Sequence, residues 1–409
     1  MPGPGLSMIG LEEQAEVLDV LTSRELSRYR FDGDPTPSKV YQFEREFADL
    51  TGSPHCLGLN SCTSALYTGL LAAGIGPGDE VIVPAYTFIA SIAAIAYTGA
   101  TPVLAEIDDS LLLDPVDVAE RITPRTRAIL AVHMLGAPCD LDSLAEIARA
   151  HDLLLVEDCA QAGGGTFRGR HLGTVGTFGA FSLNVFKTFT AGDGGILTTA
   201  DRALYETVFA LHDHGAAPLR TGVTDGPALF GLNLRMHELT GAVALAQVRK
   251  LPDILATLRA NKKALSAAIG EVPGATERVV HDLDGECATA LAYTFESAGL
   301  AAEVARLLGT ITLDRSGKHN YANMPQLTGG GGAGPDLPHP AAAQPAYRRG
   351  DRRRTDDRLA RTVALSVGVV DSYLGTAVGI DITSDEERID AAAANFRTVV
   401  GKARKESAC

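Results

Sequence analysis

Apolar side chains recur at Val40, Phe43, Phe47 and Leu50, the spacing of one helix face, and predict a helix over residues 39 to 50. A short apolar piece at 56–60 follows as a strand. Residues 61 to 73 then read as a helix whose start carries Ser61, Thr63 and Ser64, hydroxyls suited to a helix N-terminus. From there strands and helices alternate. Strands are predicted at 80–83, 102–105, 128–132 and 153–156, and helices at 89–97 and 141–150. The strands are continuously apolar, the pattern of a parallel sheet covered by helices on both faces. Two further strands, near 178–183 and 196–199, flank Lys187, and helices are predicted at 201–212, 236–250 and 252–270. Beyond 270 the pattern is less regular. Gly329 to Gly334 is nearly all glycine and 335–346 is rich in Pro and Ala, so a mobile loop is expected near 329–346. The predicted organisation is α/β: a large domain over 10–255 and a smaller C-terminal domain over 256–409.

Composition narrows the class. With 45% hydrophobic and 21% charged residues over 409 positions, the chain has a globular make-up and length for a large core. A formal net charge of −14 argues against nucleic acid or an anionic membrane as the main partner. Cys56, Cys62, Cys139, Cys159, Cys287 and Cys409 show no CxxC pairing, which favours reduced thiols, and no metal site is expected. The first residues do not read as a signal peptide, and no apolar run approaches membrane-spanning length. A soluble, cytoplasmic protein is the expectation.

The candidate chemistry centres on Lys187, in the run Phe181-Ser-Leu-Asn-Val-Phe-Lys187-Thr-Phe-Thr-Ala-Gly-Asp-Gly-Gly195. A lysine among apolar neighbours tends to lose its charge, and a neutral amine is a nucleophile, so Lys187 is a candidate Schiff-base lysine. The alternative is a lysine snorkelling at a strand end. The strand 153–156 ends in Glu157 and Asp158, and ligands of open parallel sheets bind beyond the carboxyl ends of strands. An acid there can hold the protonated ring nitrogen of pyridoxal phosphate; Asp158 is the choice, with Glu157 as its structural neighbour. Residues 60–66 suit either a phosphate or simple N-capping. An aromatic in 84–88 could stack on a flat ring or pack in the core. Gly74-Ile-Gly76-Pro-Gly78 mimics a dinucleotide fingerprint but lies after a helix and before a strand, so a turn is expected. Arg348 to Arg354 holds five arginines, read as a solvated charged turn in preference to an anion contact.

Taken together and in order, Asn60 to Leu66, Asp79 to Phe88, Val156 to Gln161, Ser182 to Lys187 with Gly192 to Gly195, and Gly231 to Met236 leading into 244–251 resemble the DegT/DnrJ/EryC1/StrS sugar aminotransferase family. The match runs over roughly 38 to 255 and thins beyond. The resemblance implies a fold-type I pyridoxal 5'-phosphate enzyme, with a mostly parallel sheet between helices plus a smaller α/β domain. It implies that Lys187 forms the Schiff base and then shuttles a proton, and that Asp158 pairs with the pyridine nitrogen. Gln161 would lie near the phenolic oxygen and Phe88 would stack on the ring. Thr63, the Cys62 backbone and Ser182 would hold the phosphate. Asn233 would reach the other subunit's cofactor, making a homodimer with shared active sites. Cys62 stands where the family usually has Gly, and Asp193 where it usually has Glu. Lysine rather than histidine at 187 favours transamination over dehydration. The expected reaction moves an amino group from glutamate or glutamine to a cyclic keto-sugar or keto-cyclitol in secondary metabolism. Another pyridoxal-phosphate reaction on the same scaffold, or a non-catalytic regulatory relative, are the alternatives. Leu26 to Arg30 and Lys318 to Tyr321 are candidate acceptor-pocket stretches, and the arginines at 348–354 would matter if the acceptor carried a diphosphate.

Overall fold

Strands joined through helices pair in parallel here and are buried on both faces. The computed structural model describes residues 3–29, 36–215, 229–329 and 346–407. The strands are β1 (His55–Leu59), β2 (Glu80–Pro84), β3 (Thr101–Ala105), β4 (Thr126–Val132), β5 (Leu154–Asp158), β6 (Thr166–Phe167), β7 (Arg170–His171), β8 (Phe178–Ser182), β9 (Gly195–Thr199), β10 (Ala275–Glu277), β11 (Ala290–Phe295) and β12 (Thr362–Ser366). The main sheet runs β1-β9-β8-β5-β4-β2-β3. Its β9 pairs antiparallel with both neighbours and the other pairs are parallel. The carboxyl ends of β1, β2, β4, β5 and β8 therefore emerge on one edge. A second sheet, β10-β11-β12, is antiparallel and packs against the helices Ala298–Leu308 and Glu386–Ser407. Large and small cores are separate clusters: Phe43, Phe47, Val83, Leu130 and Phe181 lie in one, Leu258, Leu291, Phe295 and Phe396 in the other.

Most predicted elements recur within a residue or two, including the helix Lys39–Thr51 on the N-cap Ser38 and the helix Cys62–Ala72 on the N-cap Ser61. The glycines at 74–78 form the expected turn, with the Gly76 N–H donated to Asp79. One element differs. The helices expected at 236–250 and 252–270 are a single helix, Glu238–Ile269, of 32 residues. Proline inside a helix costs about 3 kcal/mol. Pro252 is exposed, however, and buried Val248, Leu251, Ile254 and Leu255 anchor the helix on either side of it. This helix carries the chain from the first core to the second, so the expected boundary at 255/256 falls in its interior. Among the described residues no helix is long and apolar enough to cross a membrane. Of the loop expected at 329–346, residues 330–345 lie outside the described residues.

The arginine run is a clasp between the two parts of the chain. Arg352 donates to the Leu104 carbonyl at 2.8 Å and lies over the Tyr347 ring. Arg354 pairs with Asp114 at 2.8 Å and Asp117 at 3.2 Å, and Arg349 donates to Asn323. Arg348 and Arg353 are exposed. The solvated-turn reading thus holds for part of the run only, and none of the five lines the cavity described below.

Strand alternation sends the two acids at the end of β5 opposite ways. Glu157 is fully buried and accepts backbone N–H groups from Gly173, Val175 and Gly176 at 2.7 to 2.8 Å. His133 faces it at 3.3 Å. His133 Nδ1 accepts the Cys139 N–H, which leaves the proton on Nε2, toward the carboxylate. His133, Glu157 and Cys159 are close enough to suggest a metal site. Their donor atoms are already engaged, and burial pushes the Cys159 thiol well up, so the trio reads as a hydrogen-bond network. Burial pushes the Glu157 carboxyl up, but His133 and the amides outweigh it and hold it below its ordinary value. A depressed carboxyl adds stability above the ordinary glutamate value of 4.5, lost as pH falls through the lowered one. Glu157→Gln should therefore cost about 2 kcal/mol in urea unfolding at neutral pH. The gap to wild type should narrow as the pH drops below 4.5; a gap independent of pH would contradict this account.

Candidate active site

The loops leaving β1, β2, β4, β5 and β8 meet the small domain around a cavity of about 990 Å³. Seven of the eight sequence-predicted site residues line it: Cys62, Thr63, Phe88, Asp158, Gln161, Ser182 and Lys187. Asn233 does not. It is exposed on a segment bridged to Asp213.

Lys187 is carried by a tight loop between β8 and β9. Its backbone N–H donates to the Asn184 carbonyl at 3.0 Å, and its own carbonyl accepts the Gly5 N–H at 3.3 Å. The helix Pro4–Ser7 thus braces the loop from behind. Side chains at Gly3 or Gly5 could not fit: a Cβ there would lie 2.6 to 2.7 Å from the backbone of residues 185–190. Burial lowers the Lys187 ammonium below its ordinary value, against the opposing pull of Cys62, Asp158 and Asp371. A larger neutral fraction is what a carbonyl-attacking amine requires. The Cys62 thiol is itself pushed well up by burial, so it adds little negative charge here.

Asp158 ends β5 with 4% of its surface exposed. It accepts the Ser91 hydroxyl at 2.7 Å and the Ala160 N–H at 3.0 Å. Burial raises its carboxyl despite these contacts and despite Lys187 and His133. A buried carboxyl that is short of positive charge fits a protonated ring nitrogen. Gln161 is oriented by its neighbour: the Leu135 N–H donates to its side-chain oxygen at 2.8 Å. The amide therefore presents its NH₂ as a donor, as a phenolate oxygen would need.

The N-terminus of the helix Cys62–Ala72 opens on the cavity. Ser61 caps it by accepting the Ser64 N–H at 3.1 Å, and the first-turn N–H groups of Cys62 and Thr63 have no partner within a helix. Gly195 closes the other side. A Cβ on Gly195 would lie 2.2 Å from the Ser61 backbone, so only glycine lets β9 approach this loop.

The outer wall comes from segments beyond the long helix, residues 317–326 and 369–376, whose Tyr321, Met324 and Leu374, with nearby Leu313 and Leu327, pack in the first core. Thr87 and Ile89 donate backbone N–H groups to His319 and Lys318, both at 2.9 Å, which fixes these two side chains beside Phe88. The His319 ring lies 5.2 Å from that of Phe88, and burial, with Lys187 adding, lowers it to about 3, so it is neutral at ordinary pH. Tyr321, from the same candidate stretch, turns away and donates to Asp356 at 2.9 Å. The other stretch does not line the cavity. Arg28 is buried against Glu44 in a two-pronged pair at 2.7 and 2.8 Å, Leu26 is exposed, and Arg30 lies outside the described residues. Residues missed from sequence include Ser91, Leu135, Asp371 and Tyr373. Ser91 had a signal, as the hydroxyl in an otherwise apolar helix start, Ile89–Ala94. The loop holding Asp371 and Tyr373 had none, because its strand β12 lies where the apolar pattern is irregular.

A model of the DegT/DnrJ/EryC1/StrS aminotransferase family matches residues 8–311, extending on both sides of the 38–255 segment that carried the resemblance. The chain is 38% identical to spore coat polysaccharide biosynthesis protein SpsC of Bacillus subtilis, over 68% of this chain and 71% of that one. It is 35% identical to the L-glutamine:2-deoxy-scyllo-inosose aminotransferase of Micromonospora echinospora, over 70% of each. The crystal structure of 3-amino-5-hydroxybenzoic acid synthase superposes with a TM-score of 0.79 at 27% identity, covering 98% of this chain and 99% of that one. The chain belongs to the DegT/DnrJ/EryC1/StrS aminotransferase family, and it is a pyridoxal-phosphate-dependent aminotransferase of fold-type I.

Proposed function

We propose that this enzyme moves an amino group from glutamate or glutamine to a cyclic keto-sugar or keto-cyclitol, in the cytoplasm and for a secondary metabolite. The observation that carries the proposal is the pairing, in one cavity, of a buried amine pushed toward neutrality with a buried carboxyl pushed up, whose hydrogen bonds come from the Ser91 hydroxyl and the Ala160 N–H. Bound pyridoxal phosphate supplies an electron sink for cleaving a bond at the amine-bearing carbon. Asp158 keeps the ring nitrogen protonated. Gln161 donates to the phenolic oxygen, and Phe88 covers one ring face. Thr63, Ser182 and the Cys62 N–H hold the phosphate. Lys187 Nζ holds the cofactor between turnovers. Its amine would also serve as the base and acid that takes and returns the proton at the substrate's amine-bearing carbon. Asn233, exposed on its own subunit, reaches the phosphate in the neighbouring subunit of a homodimer.

Acceptor chemistry is supported by the outer wall. Asn323, Gln326, Tyr373 and Thr376 offer neutral donors and acceptors, suited to a ring bearing several hydroxyls. Among the described lining residues Lys187 and Lys318 are the cations; none of the arginines of 348–354 lines the cavity, and Arg352 and Arg354 are bonded to Leu104, Asp114 and Asp117.

The protein should bind pyridoxal phosphate with a yellow colour that borohydride bleaches, locking the cofactor onto Lys187. Lys187→Ala should fall by at least about 10⁴-fold in amino transfer, as expected when a covalent step and its proton carrier are both lost. Failure of the wild type to take up the cofactor would sink the proposal. The amino-loaded form should be discharged by inososes or cyclic keto-sugars, followed as return of the visible band. Discharge confined to simple 2-oxo acids would contradict the acceptor class.

A further inference from the structure

A strained turn behind Gln161 is held by a residue of the other domain. Leu135 adopts φ 56° and ψ 30°, a left-handed conformation unfavourable for a branched side chain, while being 1% exposed. Such a residue persists only when its surroundings over-determine it. The constraint comes from Arg278, just past β10. One of its terminal nitrogens donates to the Leu135 carbonyl at 2.9 Å and the other to the Met134 carbonyl at 3.3 Å. The backbone N–H of Arg278 is tied to Ala292 on β11 at 2.9 Å, so the guanidinium is anchored in the small-domain sheet.

Arg278 is an unusual group to bury. Its side chain is 0% exposed, its Nε has no partner, and its nearest carboxylate oxygen, on Glu286, is 3.8 Å away. The other oxygen of Glu286 is engaged by Lys262 at 2.6 Å. Its chain neighbour Glu277 and the fully buried Tyr86 are the other titratable groups whose charge acts on Arg278. A cation in this position is not explained by ion pairing. It is explained by its fork, which spans two successive carbonyls as a lysine ammonium cannot. The same turn donates the Leu135 N–H to Gln161, and this bond decides whether Gln161 offers its NH₂ or its oxygen to the cavity.

We propose that Arg278 is a positioning residue for amino transfer: through the Met134–Leu135 turn it fixes Gln161 as a hydrogen-bond donor to the phenolic oxygen of the cofactor. This rests on the reading of Gln161 given above. The donor favours the deprotonated ring oxygen, so its loss raises the pH midpoint of the visible cofactor band.

The test compares wild type, Arg278→Lys, Arg278→Met, Gln161→Ala and the double variant Arg278→Lys with Gln161→Ala. Arg278→Lys should raise the midpoint by about 0.5 unit or more, roughly threefold in proton affinity. It should have no further effect in the Gln161→Ala background. In cofactor-free protein, amides of residues 133–139 should exchange with deuterium at least about tenfold faster in Arg278→Lys, since the turn has lost a carbonyl anchor. Arg278→Met should exaggerate both effects; should it fail to fold, Arg278→Lys decides. An unmoved midpoint in Arg278→Lys, or shifts that add in the double variant, would overturn the proposal even with altered stability. If the wild type takes up no pyridoxal phosphate, the functional reading fails instead, while unchanged exchange at 133–139 would still refute the role of Arg278 in the turn.

Discussion

A carboxyl group buried at the end of a strand is stable as an anion only beside positive charge or enough hydrogen-bond donors, and the active site is organised around that requirement at Asp158. Glu157, one residue earlier and equally buried, meets it with three backbone N–H groups and His133. Asp158 has one hydroxyl and one N–H, and its carboxyl is raised by burial. Lys187 suffers the reverse penalty, because burial discourages its ammonium. The same desolvation thus drives both groups toward neutrality. A ligand that is cationic at one end and a carbonyl at the other relieves both, giving Asp158 its cation and the neutral amine its partner. Pyridoxal phosphate has this form, with a phosphate for the helix start at Cys62. On the roles proposed above, two unfavourable burials favour the cofactor as much as direct contacts do.

The parallel sheet explains why so much of this was legible in sequence. When strands run the same way, the segments that follow them converge on one edge, so a short run after each strand is also a piece of the site. Lys187, Asp158, Gln161, Thr63 and Ser182 all lie in such runs. What stayed hidden acts across the chain. Ser91 touches Asp158 from 67 positions away, and Arg278 reaches the turn at 134–135 across more than 140. Neither partner carries a local pattern that announces the other. The helix through Pro252 failed for a related reason: the local signal says break, and packing against two cores outweighs it. The arginines at 348–354 were ambiguous because a charge run reveals its own valence but not the acids it will meet, here Asp114 and Asp117 on the large domain.

The division of labour between the two domains follows from these contacts. Asp158, Gln161, Ser182 and Lys187 end or follow strands that cannot move without breaking the sheet. Residues 317–326 and 369–376 supply the outer wall. Its docking is not loose. Residues 318 and 319 continue the backbone pairing of the segment that carries Phe88, Arg352 is bonded to Leu104 on β3, and Thr355 is bonded to Glu106 just beyond that strand. Swinging the small domain away would break the bonds that hold Phe88 in place. The outer wall and the Phe88 segment are thus one mechanical unit, and changes in what that wall admits have to come from replacing side chains on a fixed frame. Loop residues such as Asn323, Gln326 and Tyr373 can vary on that frame without disturbing Lys187 or Asp158, because none of their described hydrogen bonds reaches either residue.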